Sequence, residues 1–373
     1  MAIHFQAVVI GGGPAGAVTA LELARAGISC LIVERSDGTG NRIGESLPPS
    51  ATALLARLGL RERFLATNPL PCYGNRSSWG GDGRLMEYDF IRDSQGNGWH
   101  LDRCRFDAML LKAAREAGAC LMTEMRPVEI ARTHTHRWRL HLAGSVGSRT
   151  VTAGMVVDAS GRSAAFARGQ EARRRRHDQL VSVVAFLSTR SEPTQDSTTL
   201  VEATPDGWWY SALLPDRRLS TAYLTDPDLL AARRGWTAAE WQTLLATTMH
   251  TRSRIDGHRY QLDAAPRVVA AGSSCLNRVV GDGWLAVGDA AASFDPLSSH
   301  GIVAAVSGGM RAASAIRDQL AGNPVGINAY AEQIARSYAL YLWMQRAYYM
   351  EERRWQAESF WQRRSASQAI PKV

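Results

Sequence analysis

The sequence predicts an α/β fold: a discontinuous Rossmann-like nucleotide-binding domain, an inserted antiparallel β-sheet domain and a C-terminal helical segment. Three observations lead there. An apolar run ending in a glycine fingerprint opens the chain. Two later apolar strands, residues 151–158 and 284–289, also end in small and acidic residues. Between these lie runs of alternating polarity rich in Gly, Trp and Tyr.

The opening stretch is Val8-Val9-Ile10-Gly11-Gly12-Gly13-Pro14-Ala15-Gly16. Residues 7–10 read as a buried parallel strand, 17–26 as a helix, and 30–33 as a second strand running into Glu34 and Arg35. Gly11, Gly13 and Gly16 keep the G-x-G-x-x-G spacing of a dinucleotide-binding βαβ unit. Gly11 makes the tight turn, and Gly13 lets backbone approach a pyrophosphate. Gly16, next to Ala15 at the helix start, lets helix and strand pack closely. Glu34 stands where an acid accepts from ribose hydroxyls.

Residues 36–44 form a loop whose glycines place backbone close to a ligand. Ser50 is expected to cap a helix over 51–58 that Gly59 ends. Residues 71–100 read as short antiparallel strands, 108–117 as a helix and 120–123 as another parallel strand. Residues 128–131 and 138–142 form a meander that turns near 144–148. A second antiparallel set follows at 181–187, 199–202, 208–214 and 219–225, with helices at 227–232 and 238–249 and a strand near 267–272. A helix of small residues spans 302–320, and the chain is helical and aromatic from 329 to 364. The nucleotide-binding domain is therefore assigned to 1–70, 98–168 and 275–325, the substrate domain to 71–97 and 169–274, and the C-terminal helices to 326–373.

The chain has 373 residues, 45% of them hydrophobic, enough for a substantial core. No apolar run reaches the roughly 18 residues of a membrane span. The first strand begins almost at once, which predicts no signal peptide and a cytoplasmic location. Five cysteines, with no C-x-x-C pair and no metal-ligand spacing, fit a reducing compartment. The net charge of +8 is carried almost wholly by arginine and is not read as a nucleic-acid signal. The dense cluster Arg173–Arg176 reads as a solvated face that can steer an anionic partner or cofactor.

Asp158-Ala-Ser-Gly161-Arg162, Gly288-Asp289 with Pro296 and Gly301 beyond it, and Arg103-x-x-Phe106-Asp107 accompany the fingerprint. Together they resemble the flavoprotein aromatic hydroxylases, the superfamily with the fold of para-hydroxybenzoate hydroxylase. The resemblance implies FAD as cofactor, with Asp289 at its ribityl or pyrophosphate region and Arg103 contacting it from the side. It also implies that Pro296, Ser299, Gly301 and Ile302 put backbone N–H groups and a helix N-terminus near the isoalloxazine, where a helix dipole stabilises reduced flavin. Ser46, Val128, Asp158, Gly161 and Gly288 complete the residues carried over as cofactor-binding.

Two further stretches narrow the resemblance. Gly44-Glu45-Ser46-Leu47-Pro48-Pro49 and Gly207-Trp208-Trp209-Tyr210 resemble segments of flavin-dependent halogenases. Halogenases carry hypohalous acid on an essential lysine near the G-E segment. This chain has only Lys112, within a predicted helix, and Lys372, near the end. Residues 207–215 and 295–301, with the aromatic C-terminal helices, are similar to the flavoprotein hydroxylases that mature tryptophylquinone cofactors. That similarity implies reduction of FAD, capture of dioxygen at flavin C4a, and transfer of one oxygen atom to tryptophan within a partner protein. A small aromatic metabolite is the other substrate considered. A halogenase, or another FAD oxidoreductase of prenyl-reductase type acting on a small natural product, is the alternative activity. NAD(P)H or a separate reductase supplies the electrons.

His300 and Glu45 are the candidate catalytic groups. Each either exchanges a proton with the reacting centre or only packs against flavin. Trp208 and Tyr210 are expected on the inward face of their strand, with Trp209 opposite. Tyr341, Tyr348, Trp355 and Phe360 keep helical spacing and either pack on the substrate domain or face a protein partner.

Overall fold

The computed structural model describes residues 3–40, 42–135, 137–145, 147–231 and 237–365. The expected helix end at Ala232, the middle of the 144–148 turn, and Lys372 lie outside the described residues.

The N-terminal domain is built on a sheet whose strand order is 280–281, 284–286, 147–158, 3–10, 30–33 and 120–122. Strand Ile3–Ile10 lies at its centre, paired in parallel with Gly147–Asp158 on one side and Cys30–Val33 on the other. All four residues of Cys30–Val33 are buried, as expected of a strand covered on both faces. The pleat divides the central strand between two cores. Ala7 and Val9 join the helices Pro14–Arg25 and Gly301–Leu320, while Val8 and Ile10 join Trp138, Phe166 and Trp284. The meander Met125–Arg132 and Trp138–Gly144 adds antiparallel strands to Gly147–Asp158.

The second large sheet runs 261–262, 181–188, 219–225, 207–213, 199–204, 74–78 and 86–89, with 267–270 also on 181–188. The expected 71–100 strands divide. Gly74–Ser78 joins this sheet in parallel with Thr199–Thr204, with Met86–Asp89 antiparallel beyond it, so the inserted sheet is mixed rather than antiparallel as expected; Leu70–Cys72 and Ser46–Leu47 both pair with Gly98–His100. That small sheet ties the Glu45–Ser46 segment to the substrate domain. The C-terminal helix Val325–Glu351 packs along Gly301–Leu320, and Tyr330 donates to the Ala286 carbonyl at 2.7 Å.

Several boundaries differ from expectation for physical reasons. Asp102 caps its helix through Arg105 N at 3.1 Å, so the helix spans Arg103–Glu116. Ser50 is the first helical residue after Pro49, with no side-chain cap. The helix expected over 238–249 is two, Ala238–Leu245 and His250–Gly257. Buried Glu202, on a distant strand, accepts from the N–H groups of Met249, His250 and Thr251 at 2.7–3.1 Å and starts the second helix. Among the described residues no helix is long and apolar enough to cross a membrane.

Candidate active site

The three glycine-bearing turns of the first sheet meet at one cavity of about 440 Å³. Gly13, Pro14, Ala15, Gly161, Asp289, Pro296 and Ser299–Ile302 line it. Arg103 and the Gly44–Ser46 segment close it from the side. The opposite wall is the face of the second sheet, where Ser182, Ser220 and Ala222 are small and Tyr210 projects.

The glycines there have separable reasons. Gly11 has φ +112°, and a Cβ would lie 2.2 Å from the Ala159 carbonyl oxygen. At Gly16 a Cβ would meet the Gly11 oxygen at 2.0 Å. Gly13 has an ordinary φ of −67°; at Gly13, Gly161 and Gly301 the space where a Cβ would be is open, although Gly161 itself has φ +68°. The first pair is needed for packing; the open ones leave backbone bare to the cavity. Helices Pro14–Arg25 and Gly301–Leu320 both begin at the cavity with no side-chain cap and no acidic residue in the first turn. Their unpaired N–H groups and positive dipole ends favour electronegative groups bound between them. Glu34 accepts from Gly12 N at 2.6 Å and from the Ser36 N–H and hydroxyl at 2.9 Å, which fixes its carboxylate beside the fingerprint.

Residues 4–337 match the family model described as FAD binding domain. The chain belongs to that family. LodB of Marinomonas mediterranea, whose name places it among FAD-dependent oxidoreductases, is 32% identical over 371 residues, covering 98% of each chain. The myxobacterial chondrochloren halogenase CndH superposes with a TM-score of 0.89 at 22% identity, over 98% of this chain and 87% of that one. QhpG, a peptidyl tryptophan dihydroxylase essential for tryptophylquinone cofactor biogenesis, superposes with a TM-score of 0.78 at 26% identity, over 98% and 80%. Several further relatives are flavin-dependent halogenases. The protein is thus an FAD-dependent oxidoreductase of the monooxygenase–halogenase superfamily.

The cavity fits FAD. Bare backbone at Gly13 and two uncapped helix N-termini suit a pyrophosphate and an electron-rich flavin edge. Of the residues expected to bind cofactor, Gly13, Ala15, Ser46, Arg103, Gly161, Asp289, Pro296, Ser299, Gly301 and Ile302 line this cavity. Arg103 is held by Asp107 at 3.1–3.2 Å and by the Ile43 and Gly44 carbonyls. Asp289 lies 3.5 Å from Arg162. Burial raises its carboxyl pKa, against the pull of Arg162 and Arg174.

Others stand elsewhere. Asp158 is fully buried and accepts from Ser160 N, the Ser160 hydroxyl and Ala167 N at 2.6–3.0 Å, so it shapes the turn that lines the cavity. Gly288 has φ +60°, and a Cβ there would overlap that of Ala15 at 2.7 Å. Arg35 follows its strand outside the lining, and Val128 is 58% exposed on the meander. Trp208 and Tyr210 share a face while Trp209 packs opposite with Tyr223 and Trp241, as alternation requires. Only Tyr210 reaches the cavity; Trp208 is covered by the C-terminal aromatics and donates to the Tyr349 hydroxyl at 3.0 Å.

Both candidate catalytic groups line the cavity. His300 is exposed, with Nδ1 against the Ser298 carbonyl, which leaves Nε2 without that contact. Glu45 is 2% exposed; Oε2 accepts from Gly44 N at 2.9 Å, and Oε1 has no partner although buried. Tyr210 OH lies 2.7 Å from Ser46 Oγ. Burial, and then the Glu45 carboxylate, hold the phenol pKa well above its ordinary value.

Sequence reasoning missed the support behind the cavity. Asp295, 1% exposed, accepts from Leu297 N, Gln345 Nε2 and Tyr349 OH at 2.7–3.0 Å, while its own N–H donates to Tyr341 OH. The 295–301 segment at the cavity is therefore clamped by the C-terminal helix. Helical spacing placed Tyr341 on a buried face, but no local signal connects it to Asp295.

Proposed function

We propose that the protein hydroxylates an electron-rich aromatic ring, and that this ring is a tryptophan side chain in a partner polypeptide. The observation carrying the first part is that one cavity joins the cofactor cradle to a slot of small residues on the sheet, with no lysine in its wall among the described residues. Lys112, the lysine among the described residues, is on the surface with its side chain 76% exposed. Lysine-dependent halogenation has no carrier there. The second part draws on the likeness to QhpG, named for peptidyl tryptophan dihydroxylation.

Bound FAD, once reduced, supplies the activation of dioxygen. The chain's own part is to hold, orient and exclude water. The uncapped Gly301–Leu320 N-terminus and the clamped 295–301 segment fix the flavin end, and Arg103 and Asp289 position the rest. The sheet wall places the ring, and Ser182, Ser220 and Ala222 leave room for it. Glu45, buried beside the ring slot, takes the proton released when the ring rearomatises. His300, at the exposed end of the cavity, exchanges a proton between the reacting centre and solvent. Electrons come from NAD(P)H or from a separate reductase.

Halogenation is the second reading, favoured by the number of halogenases among the relatives. It requires a carrier other than lysine. The two separate in one experiment: holoenzyme, reductant, oxygen and bromide with a tryptophan-bearing polypeptide, read by intact mass. Gain of one oxygen supports hydroxylation; gain of one bromine overturns it.

A further inference from the structure

We infer that an arginine cleft beside the cofactor cavity is a loading surface for FAD. Arg168, Arg173 and Arg176 attract the diphosphate of the incoming cofactor and speed its entry, without holding it once it is bound. This rests on FAD as the cofactor and not on the reaction proposed above.

The cleft, of about 780 Å³, is lined by Arg162, Arg168, Arg173, Arg174 and Arg176 against one acid, Glu171. Two of the five arginines hold the fold together. Arg174 donates to Ser274 Oγ and to the Asp289 and Ala290 carbonyls at 2.8–3.1 Å. Arg162 donates to the Gly272 and Phe294 carbonyls at 2.5 and 3.0 Å and faces Asp289 at 3.5 Å. The other three are exposed, and among the described residues their side chains have no hydrogen-bond or ion-pair partner. Arg174 and Arg176 share a face of the short strand Arg174–Arg176, which leaves Arg175 on the other. Like charges gathered on one concave wall repel one another, so they do not stabilise the fold. They do raise a positive potential that concentrates anions.

Position and lining decide which anion this serves. Arg162 lines both the cleft and the cofactor cavity, so an anion drawn to the cleft arrives beside that cavity. Among the described residues the cleft has no apolar lining side chain larger than Ala172. It offers no platform for adenine or isoalloxazine and does not seat a dinucleotide. FAD passes on to the cavity, where bare backbone at Gly13 and the helix N-terminus behind it suit the diphosphate. The cleft therefore acts on the rate of arrival, through charge felt over roughly a Debye length, and not on the contacts of bound FAD.

The test mixes full-length apoprotein with FAD in a stopped-flow instrument and reads association from the quenching of flavin fluorescence. Release is read from recovery of that fluorescence on dilution of the holoenzyme. No turnover is involved, so failure of the proposed hydroxylation leaves this result untouched. The wild-type association rate should fall about tenfold between about 20 mM and about 500 mM salt. Arg168→Gln, Arg173→Gln and Arg176→Gln together should slow association about tenfold at the lower salt and leave release within about twofold. At the higher salt variant and wild type should converge. Each substitution alone should slow association about twofold, which keeps the test in hand if the triple variant does not fold. Arg126, Arg139 and Arg149 are the control. They are also exposed, but lie level with residues 148–152 of the strand that ends at Asp158, about 20 Å or more from that end. Their joint replacement by Gln removes the same net charge and should slow association less than about twofold. Three results overturn the proposal: wild-type association indifferent to salt, equal slowing in the cleft and control variants, or faster release with association unchanged.

Discussion

Acidification should destabilise the protein through His100 in a calculable way. The ring is fully buried, and burial, reinforced by Arg254, lowers its pKa from 6.5 to about 4. Each unit is worth about 1.4 kcal/mol, so the gap corresponds to roughly 3 kcal/mol. The sign follows from linkage. The unfolded ring takes up a proton near its ordinary pKa while the folded ring resists, so stability present above that pKa is lost as pH falls toward the folded value. About 2 kcal/mol should be gone by about pH 5 and about 3 kcal/mol by about pH 4. Urea unfolding followed by tryptophan fluorescence, repeated from neutral pH downward, measures the loss. Other groups titrate over this range, so the comparison is with His100→Gln, which keeps a donor and an acceptor but does not titrate. The variant should be less stable at neutral pH and should converge on the wild type as pH falls. Parallel curves for the two proteins would refute the buried neutral ring.

Gly13→Ala should leave apoprotein stability unchanged and weaken FAD binding at least about tenfold, because its Cβ meets only the cavity. Gly11→Ala, at φ +112° against the Ala159 carbonyl, should instead lower the melting temperature of the apoprotein. Asp226 is buried and accepts from Arg364 at 2.7 and 3.1 Å and from Arg363 at 2.9 Å. Asp226→Ala should cost about 3–5 kcal/mol in denaturant unfolding by stranding the buried Arg364. Asp295 has a raised pKa, caused first by burial and then by Asp178. Its contribution is therefore greatest below the ordinary carboxyl pKa and falls as pH rises through the raised value. The stability difference between wild type and Asp295→Asn should narrow across that window.

The parts of the fold legible in the sequence are those that local chemistry encodes. The glycine spacing is legible at Gly11 and Gly16, where steric contacts under 3 Å leave no alternative residue. Apolar runs marked the parallel strands because both faces are covered. Alternation separated Trp208 and Tyr210 from Trp209, since adjacent strand residues face opposite sides. The remainder depended on contacts far apart in the chain. Glu202 starts a helix near residue 250, which no window around 238–257 reveals. Trp208 lost its expected place because Tyr349 and Trp361 cover it. The Asp295 clamp and the His100–Thr199–Ser46–Tyr210 chain each join segments more than 45 residues apart. Asp158 stands at the expected strand end, and its side chain accepts from the Ser160 and Ala167 N–H groups of the following turn, a partnership that the sequence alone does not reveal.

Oxygen transfer from this cavity to an aromatic ring can be followed directly with reduced holoenzyme, isotopically labelled dioxygen and a tryptophan-bearing polypeptide. The label is sought in the polypeptide and in hydrogen peroxide. Label is expected on the indole ring and, in a Glu45→Gln variant that still holds FAD, a shift of label from ring to peroxide. Label found only in peroxide or water, or halogen on the ring when bromide is present, would contradict oxygen transfer at this site.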